Sequence, residues 1–185
     1  MRHPTRDNPR FADMTGPAGS DLFDAVPTRD DAHSANLSTV SDRSTVGLWL
    51  AARLLGALAV LATGAVHLHE YRRLYSSVPT IGTLFLLNFI GATAIGLCLL
   101  APVERIGGRH GGTLMALIAA AGIGLAAVSF AFLKISQQTP LFGFVEPGYD
   151  PPGIAAAQGA EIAAVVLLGA FLVGRFALKA RMWRW

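Results

Sequence analysis

The sequence contains a single cysteine, Cys98, set inside an apolar run, so no intramolecular disulfide can form. Thiol–disulfide relay chemistry, which needs paired cysteines, is excluded with it. Lysine occurs only at Lys134 and Lys179. With no basic run, the chain lacks the electrostatic footprint of a nucleic-acid partner. A phosphate-cradling glycine loop, a His-Glu-x-x-His zinc helix and a geometrically coherent Ser-His-Asp set are all missing. Bis-histidine haem ligation would need two histidines at one depth on separate helices, and His67 has no such mate: His110 falls at the opposite interface. No metal and no cofactor are therefore expected. Charged residues are also scarce, 15% of the chain against 52% hydrophobic. That balance lies outside the soluble globular range.

The apolar residues are grouped. Blocks run over 46–68, 80–101, 112–133 and 154–177, and at 1.5 Å per residue each is roughly 33 to 36 Å long as a helix, enough to cross the hydrocarbon of a bilayer. The connections at 69–79 and 102–111 are short, so successive helices must be antiparallel neighbours. The expected fold is all-α, an up-and-down four-helix bundle in the membrane over residues 46–185.

The first 45 residues hold seven Asp and five Arg among Pro, Gly and Ser, without an apolar period. They read as a disordered tail, either simply solvated or ordering on a partner. No apolar stretch of a secretory signal lies near the first residues, so the first span is expected to act as an uncleaved anchor. Met14 offers an alternative start.

Basic residues give an orientation. Arg29, Arg43, Arg105, Arg109, Arg175, Lys179, Arg181 and Arg184 flank one side, eight in all, against three, Arg72, Arg73 and Lys134, on the other. The positive-inside rule then puts both termini in the cytoplasm of a bacterial cell, the multi-pass chain sitting in its inner membrane. Trp49, Trp183 and Trp185 fall at the inner interface, Tyr71, Tyr75 and Tyr149 at the outer. Small residues at four-residue spacing, Ala52 and Gly56, Ala92 and Gly96, Ala116, Ala120 and Gly124, Ala170 and Gly174, allow close helix approach.

The stretch HLHEYRRLYSSVPTIGTLFLLNFIG, from His67 through the first outer turn, resembles the corresponding turn of uncharacterised four-span bacterial integral membrane proteins. The resemblance covers about 25 residues, rests on its His-x-His and Pro-Thr-Ile-Gly elements, and implies the fold. No activity comes with it.

Chemistry-bearing residues gather in the outer half. His67 and His69 differ by about 200° around a helix and cannot share one ion there. His67, Glu70 and Tyr71 instead follow i, i+3 and i+4 spacing on one face. The bland alternative is that both histidines, His67 and His69, are interfacial and hydrogen-bonded to headgroups and water. Glu161 lies about 10 Å beneath the outer edge of the fourth span. A carboxylate at that depth must face the interior, where it is held neutral or given a donor. Gln158 precedes it by three residues, and Asn88 reaches the same depth from span two. His67, Glu70, Tyr71, Asn88, Gln158 and Glu161 thus form a candidate polar pocket facing outward.

Arg53, near the inner edge, can snorkel to headgroups. The connection KISQQTPLFGFVEPGYDPPG, with four prolines, is stiff enough to cover such a pocket or simply to tie span three to span four. Three roles fit these features: an accessory or binding subunit, alone in the lipid bilayer or within a larger membrane complex; a redox-linked or proton-handling enzyme acting on a lipid-phase ligand such as a quinone; and a small transporter, the least favoured without an inverted repeat.

Overall fold

A computed structural model of the chain describes residues 29–148 and 150–182. The chain divides into two compact units, residues 1–42 and 43–185, and the membrane domain is the second. Its elements are α1 (Arg29–Glu70), a π-helical turn (Tyr71–Tyr75), α2 (Pro79–Leu100), a short α3 (Val103–Ile106), α4 (Gly108–Ser136) and α5 (Pro151–Met182). No strand occurs among the described residues. Helix α1 begins at Arg29, upstream of the expected boundary at Val46. Residues 1–28, most of the expected tail, lie outside the described residues, as do Tyr149, Trp183 and Trp185.

Among the described residues four segments are long and apolar enough to cross a membrane: Gly47–Tyr75, Pro79–Leu100, Gly108–Ser136 and Pro151–Ala177. Exposed Leu87, Leu117, Val166 and Val173, all more than half accessible, form the surface such a bundle turns toward lipid. The protein is a multi-pass membrane protein with a four-helix bundle, and its outward apolar surface is matched to a bilayer.

The helix ends follow from local chemistry. Pro79 opens α2 after an extended Val78, since proline has no N–H to satisfy and presets the helical φ. Ala101, extended ahead of Pro102, closes it. Gly108, at φ +50°, takes the left-handed conformation that lets the chain turn from α3 straight into α4.

The helices close a square in chain order. Gly96 of α2 lies against Leu61 of α1, and Gly122 of α4 against Ile95 of α2 and Leu168 of α5. Gly56 and Trp49 of α1 pack on Leu168 and Gly174 of α5. The core is built of small side chains, Ala57, Ala92, Ala119, Ala126 and Ala164, with Val60, Leu99, Met115, Leu168 and Phe171 between them. Helices meeting in lipid gain from this close backbone approach, because lipid tails are as apolar as leucine. On α4 the buried face runs through Met115, Ala119, Gly122 and Ala126, leaving Ala120 and Gly124 of the expected pattern exposed.

We call the end that carries the α1–α2 turn and the α4–α5 connection the upper end. At the lower end Glu104 of α3 joins two helices, with one oxygen bonded to Arg175 of α5 and the other 3.5 Å from Arg53 of α1. Arg53 also donates to the Ala101 carbonyl at 3.5 Å. Its charge is met inside the protein as well as near the interface.

Candidate functional site

The buried face of α1 carries Arg53, Thr63, His67 and Glu70 in steps of three, four or more residues, so polar groups rise along the bundle interior toward the upper end. An uninterrupted α-helix would continue that face to Leu74, one heptad beyond His67. The π-helical turn inserts extra backbone instead, and Tyr75, 5% exposed, points inward while Leu74, 39% exposed, faces out. Gly82 makes this possible. A Cβ there would sit 2.5 Å from the Tyr75 carbonyl, so only glycine lets α2 press against the turn.

Above the packed core these elements enclose a cavity of about 260 Å³. Its walls are mostly apolar: Ile81, Leu84 and Phe85 of α2, Leu125, Val128 and Phe132 of α4, and Ile154 and Ala157 of α5. Polar groups occupy defined points. Asn88 enters from α2, Ser129 from α4, His67 and Glu70 from α1, and Glu161 from α5.

Three of these residues meet. His67 Nδ1 is 2.8 Å from the Thr63 carbonyl, which can only accept, so Nδ1 carries a hydrogen and the ring orientation is fixed. That leaves Nε2 to face the cavity, where it lies 3.0 Å from the Ser129 hydroxyl and 3.9 Å from Glu161 Oε1. Glu161 is 1% exposed, about 15 Å below the start of α5. Neither of its oxygens has a well-formed hydrogen bond, although the Ser129 hydroxyl faces it. The Asn88 carbonyl oxygen and Glu70 Oε1 are likewise buried without a partner. Orphaned buried acceptors are rare in folded proteins, and here three of the side chains that carry them line one cavity.

Aromatic contacts hold the roof and one wall. Phe85 stacks on Tyr75 with ring centroids 4.6 Å apart and tilts against His67 at 5.0 Å. Tyr75 donates a short hydrogen bond to Glu146 in the α4–α5 connection and meets Phe144 edge-on. That connection folds back by a two-residue turn at Phe142 and Gly143, both at positive φ, closed by pairing of Leu141 with Phe144. Leu141 and Phe144 cover the cavity from above. Glu146 is tied to the end of α4 through its N–H to the Ser136 carbonyl, and its side chain accepts from the Gly148 N–H. Asp150 accepts from the Gly153 N–H at the start of α5 and lies 3.6 Å from Arg73.

Of the residues singled out in the sequence, His67, Glu70, Asn88 and Glu161 line the cavity and two do not. Tyr71 starts the π-helical turn and packs toward Gly82. Gln158 is half-buried, one residue off the inward line through Ala157, Glu161, Ala164 and Leu168. Glu146 and Asp150 also line the cavity, and Tyr75, which its place in the sequence marks only as an outer-interface anchor, lines it too. Nothing in the local sequence marks the inward turn of Tyr75, which depends on the π-helical insertion. No group of three or more His, Cys, Asp or Glu suited to a metal ion occurs among the described residues. No family model matches this chain, and no curated protein or solved structure matches it, so its site is read from its own geometry.

Proposed function

We propose that this protein is a binding protein of the membrane, holding a small molecule in the upper cavity with the molecule's polar head against His67 Nε2, Ser129 and Glu161. The observation that carries this reading is the convergence of a fixed imidazole acceptor and an unbonded, fully buried carboxyl on one mostly apolar cavity. A carboxyl left in this state costs several kcal/mol, and a bound head with both donor and acceptor character would remove much of that cost. The size and character of the space suit a compact ring or short chain segment with few polar atoms. The protein works as an accessory or binding subunit, alone or in a larger membrane complex.

Native mass spectrometry of protein purified without delipidation tests this. A bound small molecule should survive in the wild type and be lost from His67→Ala and Glu161→Leu. Equal small-molecule content in all three forms would count against the reading.

A second reading is favoured by the same pair. His67 and Glu161 can exchange a proton across Ser129, which suits a proton-handling enzyme working on a lipid-phase ligand such as a quinone. Its signature would be proton uptake or release on binding of a short-chain quinone, which Glu161→Gln abolishes without loss of folding.

For orientation we propose that the upper end faces away from the cytoplasm of a bacterial cell, on the eight-to-three basic count. With Cys98 replaced by Ser, single cysteines at exposed Gln138 and Ile106 should react with an impermeant maleimide from opposite sides of the membrane. Reaction of both from outside would reverse that assignment.

A further inference from the structure

The cavity is not walled equally on all sides. Helices α2 and α4 touch where Gly91 meets Leu125 and Gly122 meets Ile95. Above that level Phe85 leans away from α4 onto His67 and Tyr75 of the α1 side, and α4 offers the small Ser129 opposite. The space between the two helices is left thin. Its rim is formed by Leu87 of α2 and Val128 of α4, which line the cavity and are also 58% and 53% exposed on the outer surface of the bundle. Both belong to spans that cross the membrane, so that outer surface faces hydrocarbon. The top is fastened by contrast, through the Tyr75–Glu146 bond, the Glu146 N–H to Ser136 bond and the Arg73–Asp150 pair.

We propose that the ligand enters sideways from the bilayer, between α2 and α4 past Leu87 and Val128, and is therefore a lipid-phase amphiphile. Its hydrogen-bonding head passes to His67, Ser129 and Glu161, and its apolar tail remains in the window between the helices. This rests on the binding reading above and adds a route and a chemical class to it. The chemistry agrees on each side of the opening. The rim side chains are leucine and valine, with nothing to desolvate, and behind them the polar groups run from Asn88 of α2 and Ser129 of α4 to His67 and Glu161 at the far wall on α1 and α5, where a head would arrive last. A water-soluble solute would instead have to displace Leu141, Phe144 and the bonds that hold the connection closed.

The test uses the full chain in phosphatidylcholine vesicles and a long-chain alkylphenol with a diazirine beside the ring, dissolved in the lipid. Photolabelling followed by peptide mapping gives the rate at which cavity residues are reached. Leu87→Trp combined with Val128→Trp should slow that rate by about tenfold by filling the rim. Leu87→Ala should raise it. Arg73→Ala, which cuts a tie of the roof and lies outside the cavity, should leave it unchanged. If the tryptophans have no effect and Arg73→Ala speeds labelling, entry is from above and lateral access is overturned, while binding in the cavity stands. If no cavity peptide is labelled in the wild type under saturating probe, both lateral access and the binding reading fall.

Discussion

Below Leu125 the four helices meet through Ala57, Ala92, Ala119 and Ala164, almost without accessible surface; above it they part around a cavity. Polar groups follow the same division. At the lower end Glu104 answers Arg53 and Arg175 together, and among the described residues there the Arg53 Nε and the Trp49 indole are the buried groups without partners. In the upper half Glu161, Asn88 and Glu70 all carry unbonded oxygens around the open space. One half uses small side chains and a neutralised charge cluster to hold the bundle together. The other half accepts poor packing and uncompensated acceptors, a combination that costs stability.

The contrast can be broken most severely in the packed half. Leu168 is fully buried between Gly56 and Gly122, and Leu168→Ala should cost about 2–5 kcal/mol, read from unfolding in mixed detergent micelles. Leu84→Ala, which only enlarges an existing void, should cost well under half of that in the same assay. Equal costs would mean that the upper half is as tightly packed as the lower.

Tyr75→Phe comes next. It removes a buried hydrogen bond to a carboxylate and should lower stability by roughly 1.5–3 kcal/mol. Faster amide exchange confined to residues 137–150 would show that the loss falls on the roof.

Arg53→Leu should matter less, about 1 kcal/mol or below, since Glu104 is 40% exposed and keeps Arg175. Melting temperature in detergent measures it. A drop as large as that of Leu168→Ala would place the charge cluster among the main supports of the fold.

The smallest change in stability belongs to the deepest charge. Glu161→Leu removes a carboxyl that has no well-formed hydrogen bond, so unfolding free energy should stay within about 1 kcal/mol of the wild type or rise. A strong destabilisation would mean that Glu161 serves the fold.

The division between the halves was unevenly legible in the sequence. Spans were readable because length and apolarity are local properties, and all four stand within a few residues of expectation, apart from the first, which continues to Tyr75. The meeting of His67 with Glu161 followed from side-chain tilt, since helical side chains lean toward their own N-terminus and these two helices run in opposite directions. Tyr75 was not readable. Its inward turn depends on a π-helical insertion, which shifts the face by one residue and has no clear signature in YRRLY. The same shift leaves Tyr71 off the cavity. Glu146 was hidden for another reason: its partner stands 71 residues away, and the connection that carries it is irregular, so no periodicity brings them together. Gln158 failed on angle, being about 100° from Ala157 on a helix whose inward line passes through Ala157 and Glu161.

A ligand head resting on His67 Nε2, as proposed, would change the electronic surroundings of that ring. Among the five histidines of the chain it can be followed directly by nitrogen NMR on ¹⁵N-histidine-labelled protein in nanodiscs, titrated with a long-chain alkylphenol. The His67 ring signals alone should move, along a saturating curve, Nδ1 should keep its hydrogen bond to Thr63, and Glu161→Leu should flatten the response. An unmoved His67, or equal shifts at His67, His69 and His110, would contradict it.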